Sequence, residues 1–283
     1  MITVETVSAL REKVTGWRAK GEKIALVPTM GNLHAGHLGL VSEARQLADR
    51  VVVSIFVNPL QFGVGEDFAL YPKTEAEDAE KLAVGATDLL FLPDVKTIYP
   101  KPQTEQTRIE VPGISDILCG ASRPGHFAGV ATVVCKLFNM VQPDLAIFGE
   151  KDFQQLVVIR RMVEDLSLPV TIHGHATVRE SDGLALSSRN SYLTADERTS
   201  APALYRALQE TAAALKEGNR DYDRLQEEAM ERLEAAGFRR DYFQIRRSHD
   251  LTSPSRDERS LVIVAAAYLG RARLIDNLQL MLD

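Results

Sequence analysis

The sequence predicts an α/β fold, a Rossmann-like doubly wound parallel-sheet domain followed by a smaller α+β domain. Three observations predict it. Short apolar runs of strand length alternate with segments of helical spacing up to about residue 175. Those runs are apolar throughout, with no polar alternation, as strands covered by helices on both faces are. Beyond them the order changes to helices followed by strands, so the 283 residues fit two domains, 1–176 and 177–283.

The elements follow in chain order. Residues 4–20 have helical spacing (Val7, Leu10, Val14, Trp17), closed by Gly21. A strand at 23–28 (KIALVP) leads through a Gly-rich turn into a helix at 36–49. Strands at 50–57 (RVVVSIFV) and 88–92 (DLLFL) flank a helix at 75–83. A helix at 130–141 ends at Gln142-Pro143, followed by a strand at 145–148, a helix at 152–165 and a strand at 170–173. In the second domain Thr194 and Glu197 fit a capping box that opens a helix to about 216. A second helix covers 221–236 and stops at Gly237. Strands at 242–246 and 261–268 enclose a polar turn at 248–259.

Composition narrows the function. A formal net charge of -6 argues against a nucleic-acid binder, which needs concentrated positive charge. The first residues lack the apolar core of a signal peptide, and LVIVAAAYL at 261–269 is too short to span a bilayer. Cys119 and Cys135 form no CxxC pair, which argues against a disulfide framework and leaves two buried, inert thiols. A cytoplasmic protein with no membrane contact is the expectation.

Five segments carry chemistry. PTMGNLHAGH runs from a strand into a helix, with His34 and His37 three apart at the helix entrance and Gly36 between them. Helix N-termini attract phosphate, and two imidazoles there can donate to its oxygens. Read alone, the segment fits either a nucleotide site or a loop with two surface histidines. Asn58-Pro59-Leu60-Gln61-Phe62 places two amides after a strand, able to orient a carboxylate without neutralising it, or simply to form a turn. Arg123-Pro124-Gly125-His126-Phe127 is a cationic loop, an anion contact or a structural connection. Gly149-Glu150-Lys151-Asp152-Phe153-Gln154-Gln155 sets Lys151 at another helix entrance with Gln155 one turn on. Leu186-Ser187-Ser188-Arg189-Asn190 offers two hydroxyls and a guanidinium, suited to phosphates or to a capped turn.

Taken in order, PTMGNLHAGH, SIFVNPLQF, SRPGHFAGV, FGEKDFQQ and DGLALSSRN resemble the pantothenate synthetase (pantoate–β-alanine ligase) family, one of the HxGH nucleotidyltransferases. The resemblance is strong over residues 20–195 and weaker to the end, where RLIDN at 273–277 matches again. It implies ATP binding by Met30, Gly31, Asn32, Leu33, His34, Ala35, Gly36 and His37. Gly149, Glu150, Lys151, Asp152, Val178, Leu186, Ser187, Ser188 and Arg189 complete that set. It implies pantoate at Gln61 and Gln155; for β-alanine, Gln61 is expected to contribute, and Arg123 and His126 are further candidates. It assigns His37 the role of proton donor or charge stabiliser at the departing pyrophosphate; His34, Lys151 and Arg189 are expected to share the triphosphate charge with Mg²⁺ as further catalytic groups, and Asp78 reads either as a protein contact for that metal or as a helix-surface carboxylate. A homodimer is also implied. The chain departs from the family at Ala35, often Glu, at Leu186, often Met, and in the more basic Gln244-Ile245-Arg246-Arg247.

The implied reaction has two steps, attack of pantoate on the α-phosphorus of ATP and then aminolysis of the acyl-adenylate, under a second domain that closes over the site. Two other readings compete. A cofactor adenylyltransferase would share HxGH but would call for more cations around a phosphate acceptor. A nucleotide-sensing module would bind ATP without turnover. A tRNA synthetase would need a tRNA-binding extension that the chain does not display.

Overall fold

The structure, a computed structural model, describes residues 1–63, 68 and 71–283. The chain divides into two compact units, Met1–Glu150 with Gln155–Ala176, and Lys151–Gln154 with Thr177–Asp283. The sequence boundary at 176 thus leaves out residues 151–154, which group with the second unit.

The first unit is a six-stranded parallel sheet in the order β1-β4-β3-β2-β5-β6. Its strands are β1 (Ile2–Val4), β2 (Ile24–Thr29), β3 (Arg50–Ile55), β4 (Leu89–Phe91), β5 (Leu145–Gly149) and β6 (Thr171–His175). Its helices are α1 (Val7–Arg18), α2 (Ala35–Leu47), α3 (Glu75–Val84), the short α4 (Val95–Ile98) and α5 (Cys119–Ser122), α6 (His126–Val141) and α7 (Phe153–Asp165). Ile24, Leu26, Val51, Val53, Leu90 and Ile147 are fully buried, as unbroken apolar strands between helix layers require. From β2 the chain steps outward through β3 and β4, then returns to place β5 on the other side of β2. The β2–β5 crevice is therefore the switch point of the sheet, where open α/β sheets hold ligands at the carboxyl ends of their strands.

Two boundaries differ from the sequence reading. Residues 2–4 form a strand, paired Ile2↔Leu89 to Val4↔Phe91, and the helix starts only at Val7, where the Thr6 hydroxyl accepts from the Ala9 amide. A three-residue strand is too short to show periodicity. Helix α6 starts at His126 rather than at 130, after Gly125 turns the chain in the left-handed region at φ 81°. Both cysteines are buried, and burial pushes the Cys135 thiol up. Among the described residues no helix is long and apolar enough to cross a membrane.

The second unit packs α9 (Ala203–Lys216) and α10 (Tyr222–Ala235) on an antiparallel sheet, β7 (Arg239–Arg247), β8 (Ser260–Leu269) and β9 (Ala272–Met281). The Thr194–Glu197 capping box is present, but its helix, α8 (Ala195–Ser200), stops after six residues. Pro202 lacks the N–H that a single helix to 216 would need, and α9 begins after it. Strand β9 was not expected. A tight turn at Gly270-Arg271 joins it to β8, and Asp276 and Asn277 interrupt its apolar pattern.

Within the first unit, Glu43 of α2 accepts hydrogen bonds from His173 and His175 of β6. Burial raises the Glu43 carboxyl, but the bonds from His175 and His173 outweigh it and hold it below the usual carboxylate range. A depressed carboxyl contributes stability above its unfolded pKa and loses it as pH falls through the folded value. Glu43→Gln should lower Tm at neutral pH, and the gap to the parent should close on acidification below the ordinary value of 4.5. A gap that stays constant over that range would contradict the pairing.

Candidate active site

The turn from β2 to α2 is built around one buried carboxylate. Asp78 of α3 is 1% exposed, and its two oxygens accept from the backbone amides of Asn32 and Leu33, each at 2.8 Å. The Thr74 hydroxyl adds a third bond at 3.0 Å. Lys81, one turn along α3, donates to the Leu33 carbonyl at 3.0 Å and lies 3.8 Å from Asp78. Gly31 and Asn32 take positive φ, 83° and 52°, to turn the chain. A Cβ on Gly31 would sit 3.1 Å from Ile55 and 3.2 Å from the Asp78 carboxylate, so the position needs glycine for both conformation and space.

That turn delivers the two histidines to the N-terminus of α2. His34 is the cap: its Nδ1 accepts from the Gly36 amide at 3.1 Å. The His37 Nδ1 accepts from the His34 amide at 3.3 Å, a reciprocal capping box made of two imidazoles. The rings lie 4.1 Å apart, centroid to centroid. Because each Nδ1 accepts, the hydrogen of a neutral ring sits on Nε2 in both. The pair therefore sets two imidazoles at a helix end that already favours anions. Met30, Leu33, Ala35 and Gly36 complete this turn. The expectation that both histidines share one helix entrance holds.

Asn58 and Gln61 sit beyond β3 in the short turn Pro59–Gln61, and both side chains are buried. Helix α6 presses close here: a Cβ on Gly129 would lie 2.2 Å from the Leu60 carbonyl. Arg123 and His126, read from the sequence as candidate anion contacts, serve the same turn. His126 Nδ1–H donates to the Gln61 carbonyl at 2.7 Å, Arg123 donates to it at 3.2 Å, and Arg123 also donates to His126 Nε2 at 3.1 Å. These bonds fix His126 in the Nδ1–H form and make the RPGHF loop a clamp on the Gln61 backbone. Gly149 closes β5, and Glu150 follows it against Gly174 of β6. Gln155 stands partly exposed in the first turn of α7.

The second unit gathers the other motifs. Leu186 N–H donates to the Val178 carbonyl at 2.9 Å, bringing together two residues eight apart in sequence. Arg198 holds this turn through Glu180 and Asp182, both at 2.6 Å. Ser187 caps the short helical turn Ser188–Tyr192, its hydroxyl accepting from the Arg189 amide at 3.3 Å. Lys151 and Ser187 line one cavity with Tyr205 and Asp276, whereas Asp152 is exposed. Two residues that sequence reasoning did not single out organise the cavity. Asp276 binds Arg179 in a two-pronged pair at 2.6 and 2.8 Å, with the guanidinium stacked 3.6 Å over the Tyr205 ring. Asn277 donates to the Lys151 carbonyl at 3.0 Å. The signal for both was the polar Asp-Asn pair set between Leu274-Ile275 and Leu278.

Asp78 thus anchors backbone, with both carboxylate oxygens engaged by the protein itself. Among the described residues no group of three or more His, Cys, Asp or Glu side chains could hold a metal ion. The donor set does not fit a protein-built Mg²⁺ cage, which takes about six oxygens. Asp78→Ala would strand two buried amides and should cost about 3 kcal/mol, roughly 6–12 °C in Tm. A Tm within about 2 °C of the parent would contradict the anchoring role.

The family model for pantoate-beta-alanine ligase matches residues 2–279. Pantothenate synthetase of Pseudomonas fluorescens (strain SBW25) is 58% identical over 283 residues, covering 100% of each chain. That of Shewanella baltica (strain OS223) is 57% identical over 279 residues, covering 99% of each. A crystal structure of pantothenate synthetase from Thermus thermophilus superposes with a TM-score of 0.91 at 47% identity, over 98% of this chain and 99% of that one. Pantoate-beta-alanine ligase from Francisella tularensis, complexed with beta-gamma ATP and beta-alanine, gives a TM-score of 0.83 at 36% identity, over 98% and 97%. With the matches running the length of both sequence and fold, the chain belongs to the pantoate–β-alanine ligase family.

Proposed function

We propose that this chain condenses pantoate with β-alanine to pantothenate through a pantoyl-adenylate, cleaving ATP to AMP and pyrophosphate. The observation that carries the reading is the imidazole pair at the N-terminus of α2, at the switch point of a sheet whose family is ligases of this kind. In the first step a pantoate carboxylate oxygen attacks the α-phosphorus of ATP, and the bond to the β-phosphate oxygen breaks. The protein's work in such a transfer is positioning and charge stabilisation. His34 and His37 donate from Nε2 to the phosphate oxygens as charge builds on the departing pyrophosphate. Lys151 and Arg189 add positive charge, Ser187 and Ser188 add hydroxyl donors, and the backbone of Met30–Gly36, Gly149–Asp152, Val178 and Leu186 lines the nucleotide. In the second step the β-alanine amine attacks the acyl carbon, the C–N bond forms as the bond from that carbon to the AMP phosphate oxygen breaks, AMP leaves with the electron pair, and the nitrogen gives up one proton to solvent.

Gln61 and Gln155 hold pantoate in this reading, and neutral amides suit a carboxylate that must stay nucleophilic. The resemblance also assigns Gln61 to β-alanine. Mg²⁺ comes to the site on the phosphates of ATP, in keeping with its preference for phosphate and water oxygens, and Asp78 acts on it only through the turn that it anchors. The adenylyltransferase alternative is disfavoured because Arg123 and His126 attend to a backbone carbonyl, leaving amides at the acceptor side. The family resemblance also supports a homodimer working in the cytoplasm.

Incubation with ATP, Mg²⁺, pantoate and β-alanine should yield pantothenate and AMP in equal amounts, with no ADP. His37→Ala and Lys151→Ala should each lower kcat by about 10²-fold or more with the fold retained, His37→Ala at the cost of one cap bond in Tm. Near-parental turnover in either variant would remove that residue from the chemistry, and ADP as product would overturn the adenylate route.

A further inference from the structure

The amide of Gln61 has its two ends assigned by a chain of buried hydrogen bonds that begins at a residue outside every motif named above. Asn58 is 1% exposed and uses both ends of its side chain. Its Nδ2 donates to the Gly129 carbonyl at 3.1 Å, and its Oδ1 accepts from the Leu60 amide at 3.2 Å. A backbone carbonyl can only accept and a backbone N–H can only donate, so these two partners rule out the flipped amide. Two consequences follow. The Tyr99 hydroxyl, 2.9 Å from Oδ1, must be the donor in that bond. The second hydrogen on Nδ2, 3.1 Å from Gln61 Oε1, requires that the Gln61 oxygen face inward. Gln61 Nε2 then faces the β2–α2 turn, where it lies 2.7 Å from the Met30 sulfur.

Tyr99 is 4% exposed and packs against Phe56, with ring centroids 6.0 Å apart, and beneath Lys136. Burial pushes its phenol up, so it keeps its proton throughout the working range. All the donors in the chain point one way, from Tyr99 through Asn58 to Gln61.

We propose that Tyr99 is a positioning residue for pantoate: the backbone of Gly129 and Leu60 sets which way round the Asn58 amide lies, and the Tyr99 hydroxyl holds that amide in place against Gln61 Oε1, so that Gln61 keeps its NH₂ end towards the site and offers the substrate hydroxyl and carboxylate oxygens a donor and never an acceptor. The inference rests on the reading that Gln61 holds pantoate. An amide free to flip would present its oxygen to a carboxylate for part of the time, and binding would weaken by the fraction lost and by the repulsion met.

The test is steady-state kinetics with each substrate varied in turn, together with Tm. Tyr99→Phe removes one hydroxyl and keeps the ring. It should raise KM for pantoate about 5- to 10-fold, with KM for ATP within about twofold of the parent. Gln61→Ala should raise pantoate KM at least as much. Gln61→Glu should be worse than Gln61→Ala, because one oxygen still accepts from Asn58 while the other meets the substrate carboxylate. If Gln61→Ala leaves pantoate KM unchanged, it is the pantoate assignment that fails, and the inference falls with it. If Gln61→Ala raises pantoate KM and Tyr99→Phe does not, the relay is wrong. A uniform rise in KM for all three substrates with a lowered Tm in Tyr99→Phe would mark it as packing only. Should that variant fail to fold, Gln61→Glu decides: a pantoate KM at or below that of Gln61→Ala would contradict the donor polarity.

Discussion

The hold of Asp78 on the amides of Asn32 and Leu33 is the interaction on which the site depends. Gly31 and Asn32 have positive φ, a conformation that a free loop would leave readily. A buried carboxylate bonded to two successive amides and a hydroxyl over-determines that turn. With it fixed, His34 and His37 cap α2 through Nδ1, and each ring is held in one direction. Preorganisation of this kind lets donors stabilise developing charge without reorganising during the reaction. The carboxylate acts on the chemistry at one remove, through backbone.

The same logic recurs at Gln61 and at Lys151. In each case the residue expected to meet substrate is held by its backbone or by the far end of its side chain, which leaves its reactive end committed to the site. Arg123 and His126 hold the Gln61 carbonyl, Asn58 holds its amide oxygen, and Asn277 holds the Lys151 carbonyl. Such supporting partners set the tolerance of a site as much as the groups that touch substrate do. Within the first unit Asn58, Gln61 and Asp78 are buried and hydrogen-bonded, and within the second Asp276 and Asn277 are.

Much of this was legible in the sequence. The β-α alternation gave away the parallel sheet because the central strands β2, β3 and β5 are short, mostly apolar runs, and HxGH marked the helix end because its spacing is local. What escaped was non-local. Asp78 reads as one of several acids in EAEDAEKL, and nothing in that helix says that its carboxylate reaches residues 32 and 33. The RPGHF loop reads as an anion contact because its cations look unpaired until the fold brings them to the Gln61 carbonyl. Tyr99 lies 41 residues from Asn58 and carries no motif. Strand β9 was missed because charged and amide residues break its alternation, and the three-residue β1 because it is shorter than the period that would reveal it. Pro202 was visible and should have divided the helix that Thr194 opens.

The central claim is that a carboxylic acid is activated on ATP before any amine is present. Pyrophosphate–ATP exchange tests it most directly: labelled pyrophosphate, ATP and Mg²⁺ with and without pantoate, β-alanine left out. The account predicts label entering ATP only when pantoate is added. Absence of exchange in the presence of pantoate, under conditions where ATP binding is demonstrated, would contradict it.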